Sequence, residues 1–409
     1  MNKTIEKIVS LCKQRGFVYQ SSEIYGGFGA VYDYGPLGVE LKNNIAKYWW
    51  KEMTQMHENI VGLDSGILMH PKIWEASGHI NEFHDPLVDC KKCKSRYRAD
   101  ELSENIYNEI WDKIQCPKCG TTGMMTPPRQ FNLMFKTQVG PLEESGSEAY
   151  LRPETAQGIY VNYQLIQGST RMKIPFGIAQ IGKAFRNEII ARNFIFRTRE
   201  FEQMEMQYFV KPGEDNEAML DWKNKRFNFY SETLGINKKN MRFHKHDKNE
   251  LAHYAKEAWD IEYNYPFGWS EIEGIHNRTD FDLSRHEEFS GKNLKYFDQI
   301  SNERYLPYII ETSAGLNRMM LAVLSDAYWE DTDNNRTVMR LHPKIAPIKA
   351  VVCPLVKKDG LPDKARSIME ILKPHFSVLY DQQGSIGKRY YRQDEAGTPY
   401  GITVDHQSL

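Results

Sequence analysis

Residues 184–209 read AFRNEIIARNFIFRTREFEQMEMQYF. The stretch is rich in strand formers, Phe, Ile and Tyr, yet it holds eight charged side chains. Taken as two antiparallel strands, it alternates faces along each strand. In the first, Arg186 and Glu188 share one face and Phe185 and Ile189 the other, with 190–195 as the loop. In the second, Arg197, Arg199, Phe201, Gln203, Glu205 and Gln207 fall on one face. That face is polar with a single aromatic ring in its middle. Arginine forks match phosphate oxygens. An aromatic ring offers a stacking plane for a base, and carboxylates accept from amino groups. The face suits a ligand with anionic, aromatic and cationic parts. A solvated sheet face with cross-strand ion pairs is the other reading.

Further stretches repeat the pattern. YLRPETAQG puts Arg152 and Glu154 on one strand face. GWSEIEGIHNRTDFDL does the same with Glu271 and Glu273, then offers Arg278 and Asp280. YIIETSAGLNRMML puts Glu311 and Ser313 on one face and turns through Gly315 into a helix carrying Arg318. Any one of these has a bland reading as an isolated ion pair. Four polar-faced strands converging on one side would line a cleft.

The chain has 409 residues, too many for one ordinary domain and ample for a sizeable core. With 41% hydrophobic and 26% charged residues the composition is that of a globular protein. A net charge of −1 gives no global basic field, although a nucleic-acid binder can still use local patches. No run of about 18 apolar residues suggests a membrane span. MNKTIEKIVSLCKQRGF has no apolar core or cleavage site of a signal peptide; Ile5, Ile8, Val9 and Cys12 fit a first amphipathic helix ended by Gly16. A cytoplasmic location follows as the expectation.

Four of the six cysteines form CKKC (Cys90, Cys93) and CPKC (Cys116, Cys119), with 22 residues between the pairs. Each pair can bring two thiolates to one tetrahedral ion, and four thiolates close its shell. The expectation is a structural Zn²⁺ site within a zinc-binding insertion at 89–121, with a charged, helical middle. Cys12 and Cys353 read as core residues.

The rest divides into a region ending near 343, with a helical insertion over 211–260, and a final β-α-β-α-β alternation over 344–409. The first helices are expected in the N-terminal part, the second around VELKNNIAKYWWKEM after YDYGPLG.

These motifs together resemble a known family. FRNE with FRTREFEQMEM is similar to motif 2 of class II aminoacyl-tRNA synthetases, SAGLNR to motif 3, and YDYGPLG with its helix to motif 1, where Pro36 would mark a dimer interface. EASGH, LRPETAQG, FNLMF, GWSEIEGI and NRTDFDL extend the resemblance to glycyl-tRNA synthetases of the homodimeric type, over nearly the whole chain. LRPETAQG and the acidic pocket argue against the prolyl and threonyl members of the class. The presence of Arg186, Phe201 and Arg318 argues against a non-catalytic paralogue.

The resemblance implies an α+β fold: a six-stranded antiparallel sheet flanked by helices over 1–343, then an α/β anticodon-binding domain. That domain normally continues past GITVDHQSL through another strand and a helix, so 344–409 reads as a truncated version with an exposed strand edge. The resemblance also implies catalytic roles for Arg186 on the ATP α-phosphate, Glu188 on the adenine amino group and Arg318 over the adenine and γ-phosphate. It extends the ATP site to Asn187, Phe196, Arg197, Thr198, Arg199, Glu200, Phe201, Glu271, Ile272, Gly315, Leu316 and Asn317, with Glu271 as a Mg²⁺ contact. For glycine it points to Arg98, Glu154, Phe201, Glu202, Gln203, Met204, Glu205, Arg278, Glu311, Thr312, Ser313, Ala314 and Gly315. The implied partners are ATP with Mg²⁺, glycine, the glycine tRNA and a second copy of the chain. His79 of EASGH has no role that the sequence assigns.

Overall fold

The computed structural model describes residues 3–100, 102–103, 110–140, 148–189, 193–247, 250–252 and 254–409. Its centre is a seven-stranded sheet. In chain order the strands are β1 (Ile60–Gly62), β2 (Phe176–Phe185), β3 (Glu200–Val210), β4 (Met241–Lys245), β5 (Glu257–Tyr265), β6 (Gly268–Thr279) and β7 (Tyr308–Gly315). They lie in the order β4-β5-β6-β7-β3-β2-β1. Six run antiparallel, and the short β1 adds a parallel edge on β2.

The two faces of this sheet differ in chemistry. Met204 and Met206 of β3, Ile275 of β6, and Ile310 and Ala314 of β7 enter the main core. Helix α1 (Lys3–Arg15) buries Ile5, Ile8 and Cys12 there and ends at Gly16, whose φ of 79° suits glycine. Helix α2 (Pro36–Thr54) begins with proline at a position whose N–H has no partner to lose, and it buries Leu41, Ile45, Trp49 and Met53 at four-residue spacing. On the opposite face Phe176, Ile178, Phe209 and Ile309 pack against Ile159, Tyr160 and Tyr163 of α3 (Ala156–Thr170). Leu283 of α5 (Phe281–Ser290) joins them. Beyond these residues the same face turns polar and a cavity opens. Helix α6 (Leu316–Ala327) leaves β7 directly and is buried along most of its length.

Four expectations change. Residues 211–260 are not a helical insertion. Only α4 (Asp215–Asn228) and a wider turn over Phe229–Thr233 are helical; β4 and β5 extend the sheet past β6. The strand signal was the alternation Trp259, Ile261, Tyr263, Tyr265, hidden behind the Ala/Glu/Lys-rich residues just before it. Second, Arg186–Ile189 lie beyond the end of β2, and Arg197 and Arg199 precede β3; a 3₁₀ turn over Phe194–Phe196 sits between, and 190–192 fall outside the described residues. Third, the strand Glu148–Tyr150 ends before Arg152 and Glu154, where Pro153 cannot donate to a ladder. Fourth, Glu271 and Glu273 do not share a face. Glu262 pairs with Glu271 and Ile261 with Glu273, so Ile272 forms a bulge and the alternation reverses.

The cysteine-bearing insertion has its own strands, His84–Asp89, Arg96–Arg98 and Arg129–Asn132, and its own small core of Val88, Ala99, Trp111 and Met125. Of its expected helical middle, residues 101 and 104–109 lie outside the described residues and Trp111–Lys113 is a single 3₁₀ turn. The C-terminal unit follows the expected alternation: β8 (Ala350–Pro354), α7 (Leu361–Leu372), β9 (Val378–Tyr380), α8 (Ile386–Ala396) and β10 (Tyr400–Val404). Its parallel strands lie in the order β9-β8-β10 over a core of Val352, Leu361, Ala365, Met369 and Val404. Among the described residues no helix is long and apolar enough to cross a membrane.

Candidate active site

The cavity on the polar half of the sheet measures about 240 Å³. Its floor is a set of cross-strand neighbours. Glu205 faces Ser313 and Gln207 faces Glu311 between β3 and β7; Ser313 faces Gly274 and Glu311 faces His276 between β7 and β6. Antiparallel register thus brings residues distant in sequence within reach of one another.

One end is acidic. Glu205 accepts from the Thr155 N–H at 3.1 Å, from the Thr155 hydroxyl, from Gln203 Nε2 at 3.1 Å and from Ser313 Oγ at 2.6 Å. Burial and the carboxylates of Glu311 and Glu154 nevertheless push its carboxyl up to about 7. Glu311 is surrounded by donors: Gln207 Nε2 at 2.8 Å, His276 Nδ1 at 2.9 Å, and Arg278 Nη1 at 3.1 and 3.3 Å. Burial opposes its charge, but Arg278 and His276 hold it down to about 2. Glu154 is partly buried, and desolvation opposes its charge, yet His79 (Nε2 at 3.4 Å), Arg278 and Gln157 (Nε2 at 3.0 Å) hold it well below the usual carboxylate range. The Arg278 guanidinium forks onto Asp282 at 2.7 and 2.9 Å and stacks 3.7 Å from the Tyr254 ring centre. Asp282 and Glu311 raise its pKa against the effect of burial. Three carboxylates therefore share one buried arginine.

The other end is cationic and aromatic. Arg318 bonds Glu271 at 2.8 Å and lies 4.4 Å over the Phe196 ring. Arg186 donates to Pro153 O at 3.1 Å and stands 5.4 Å from the Phe201 ring centre. Arg197 reaches Glu188 at 3.5 Å. Thr198, Gly315 and Asn317 complete this end.

The cavity thus gathers sixteen of the residues expected from sequence, ten at the cationic end and Glu154, Gln203, Glu205, Arg278, Glu311 and Ser313 at the acidic end. Others stand outside its lining. Arg199 is tied to the carbonyls of Gly29 and Glu188, Glu200 to Lys183, Glu202 to Lys42, and Arg98 to Asp85 and Asp100. The Asn187 backbone bonds Leu133 O. Met204, Ile272, Thr312, Ala314 and Leu316 are buried away from the cavity lining. Arg152 is also structural: it holds the carbonyls of Lys183 and Ser65. Three lining residues were missed: Tyr254, Gly274 and His276. The two-residue period running back from Arg278 would have found Gly274 and His276; the bulge at Ile272 hid it. Tyr254 lies in the segment misread as helix.

In the insertion the four cysteine sulfurs lie within 4.8 Å of one another, with Cys90–Cys119 at 3.7 Å and Cys93–Cys116 at 3.6 Å. Tetrahedral thiolates on zinc sit about 3.8 Å apart. Each CxxC turn closes the same way: the N–H of Lys94 bonds Cys90 O and that of Gly120 bonds Cys116 O, both residues at positive φ. The donors are placed for a metal ion.

Comparison with known proteins agrees with this geometry. Residues 135–327 match the tRNA synthetase class II core domain (G, H, P, S and T), and residues 349–409 match the anticodon binding domain. The chain is 61% identical over 414 residues to the glycine–tRNA ligase of Treponema denticola, covering 99% of this chain and 90% of that protein. The chain belongs to the glycine–tRNA ligase family. The corresponding ligase of Borrelia hermsii is 56% identical, with 99% of this chain and 90% of that protein covered, and that of Chlorobaculum tepidum 52%, with 99% and 93% covered. The fold matches a Giardia lamblia prolyl-tRNA synthetase solved with prolyl-adenylate, with a TM-score of 0.69 and 17% identity over 100% of this chain and 70% of that one. The matched core is that of a class II tRNA synthetase.

Proposed function

We propose that the acidic end of the cavity binds glycine and the cationic end binds ATP, and that the chain joins glycine to its tRNA in two steps. The observation that carries this is the convergence of Glu154, Glu205 and Glu311 with Ser313 and Arg278 beside a wall of arginines and a Phe ring. Glycine offers an ammonium, a carboxylate and no side chain. The carboxylates grip the ammonium, and Arg278 attracts the carboxylate. A pocket gains no affinity from a missing methyl, so alanine must be excluded by filled space.

In the first step an oxygen of the glycine carboxylate attacks the α-phosphorus; one P–O bond forms as the bond to pyrophosphate breaks. Arg186 holds the α-phosphate, Phe201 and Arg318 sandwich the adenine, and Glu188 accepts from its amino group. These side chains position the reactants and stabilise charge at phosphorus, and no covalent enzyme intermediate is needed. In the second step the terminal tRNA adenosine hydroxyl attacks the glycyl carbonyl and AMP leaves. Glu271 faces the cavity, and against desolvation Arg318 holds its carboxyl below the usual carboxylate range, which fits a contact to the Mg²⁺ that accompanies ATP. Mg²⁺ supplies charge neutralisation on the phosphates.

Cys90, Cys93, Cys116 and Cys119 would hold a structural zinc ion, and α2 would lie at the interface of a homodimer in the cytoplasm, with the C-terminal unit reading the tRNA anticodon. Metal analysis is expected to give one zinc per chain, and light scattering twice the chain mass of 47.8 kDa. Glycine-dependent ATP–pyrophosphate exchange without tRNA tests the central reading, with alanine and serine as controls. Exchange with glycine alone is expected; a folded sample without exchange would sink it.

A further inference from the structure

His276 stands across from Glu311 in the β6–β7 ladder, with its Nδ1 2.9 Å from Glu311 Oε2. An ionised carboxylate only accepts, so Nδ1 carries the proton and the ring donates. Two other donors reach Glu311, and both have further ties: Arg278 is forked onto Asp282, and Gln207 accepts from the Tyr160 hydroxyl at 2.8 Å. The imidazole is therefore the third fixing point of a side chain that has three torsions to settle.

The strand also makes room for this ring. A Cβ at Gly274 would stand 2.9 Å from His276 Nε2 and 3.1 Å from Cε1. Gly274 has ordinary strand backbone within the β5–β6–β7 ladders, so no left-handed φ calls for glycine there. A glycine inside a strand costs stability and marks a close approach, and here the approach is by the imidazole.

We propose that His276 is a positioning residue for glycine: it locks the Glu311 carboxylate in the orientation that receives the amino acid, and Gly274 lacks a side chain to admit its ring. This rests on the reading that Glu311 grips glycine, and the experiment separates the two. Steady-state ATP–pyrophosphate exchange is measured on the full chain with glycine and ATP varied in turn. Asn places its amide nitrogen where Nδ1 stands, and Gln places it where Nε2 stands. His276→Ala and His276→Gln are expected to raise the glycine KM about ten- to a hundredfold, the worth of one hydrogen bond to a charged group, with the ATP KM within about threefold. His276→Asn is expected to return the glycine KM to within about threefold of the parent. Gly274→Ala, which presses on the ring, is expected to raise the glycine KM in the same direction.

Equal defects in His276→Asn and His276→Gln would overturn the proposal, as would a His276→Ala chain in which both KM values rise together. A normal His276→Ala beside a disabled Glu311→Gln overturns this inference alone. A normal Glu311→Gln overturns the reading of the cavity and this inference with it. Should His276→Ala fail to fold, the contrast of Asn with Gln decides the matter.

Discussion

Strand β6 carries Glu273 and Arg278, five residues apart and on opposite faces, each in a fully buried Arg–Glu pair. Glu273 accepts from Arg226 at 2.6 and 3.1 Å and from the Tyr230 hydroxyl at 2.6 Å, beneath α4. Arg278 shares its guanidinium between Asp282 and Glu311, beside the cavity. The first pair is closed: one cation, one carboxylate, packed between helix and sheet. The second is open: its cation serves two partners, and two more carboxylates crowd the same space. Burial of charge therefore does not mark the site. Surplus charge of one sign with space beside it does. The odd spacing of Glu273 and Arg278 puts the two on opposite faces, and the bulge at Ile272 keeps Glu273 off the face that carries Glu271.

Breaking the closed pair should act on stability. Glu273→Gln is expected to lower unfolding free energy by about 3–5 kcal/mol, because it strands Arg226 in a dry interior. That is a large part of an ordinary protein's stability, so a chemical-denaturation midpoint far below the parent's is the readout. Replacing Glu273 and Arg226 together by packed apolar residues should restore much of the loss and leave glycine activation in place. A glycine KM that moves with the closed pair would erase the distinction between the two pairs.

Breaking the open pair should act on chemistry. Glu311→Gln is expected to cost about 2–5 kcal/mol in kcat/KM for glycine, roughly 30-fold to several-thousand-fold, with a much smaller change in melting temperature. An apolar double replacement of Glu311 and Arg278 should abolish activity and, because it strands the buried Asp282, should not restore stability as the closed pair's does.

The sequence made much of this cavity legible because its residues obey local rules. Phe201, Gln203 and Glu205 alternate along an unbroken strand, and Glu311 and Ser313 do the same, so period-two reading found them. The motif around Arg318 follows a strand-to-helix turn at Gly315, which a glycine signals. The misreadings have physical causes. Ile272 adds one residue to β6 and shifts every later side chain to the other face, which removed His276 and Gly274 from view and brought Glu273 wrongly in. The run before Trp259 has helix-forming composition, but β5 gains more by pairing with β6 over nine residues. Arg152 looks like a ligand for an anion and is spent on backbone carbonyls of neighbouring segments, a use that only tertiary structure exposes.

The cationic end should respond more weakly. Phe201→Ala removes the stacking plane opposite Arg318 and leaves the arginines in place. The expected loss is about 1–3 kcal/mol, read as an ATP KM raised roughly ten- to a hundredfold with the glycine KM nearly constant. A larger effect on glycine than on ATP would contradict the division of the cavity into two ends.

The smallest effect expected is also the most specific to surplus acidity. Burial, Glu311 and Glu154 raise the Glu205 carboxyl to about 7, so the empty site takes up a proton there as pH falls through that value. Glu311 at about 2 and Glu154, held well below the usual carboxylate range, stay ionised throughout. An ammonium needs Glu205 ionised. Glycine affinity should then be full above about pH 7 and weaken by up to about tenfold per pH unit below it, with the ATP KM flat. The same shift destabilises the empty protein: the neutral carboxyl's advantage, present below the unfolded value near 4.5, is lost as pH rises through about 7. Glycine relieves that cost, so its thermal shift at fixed concentration should be larger at pH 8 than at pH 6. The closed pair offers the control, since Glu273→Gln should leave the profile unchanged. Glu205→Gln should weaken glycine at every pH and flatten the profile. A profile that keeps its slope in Glu205→Gln would assign the proton to another group and reduce the surplus at this site from three carboxylates to two.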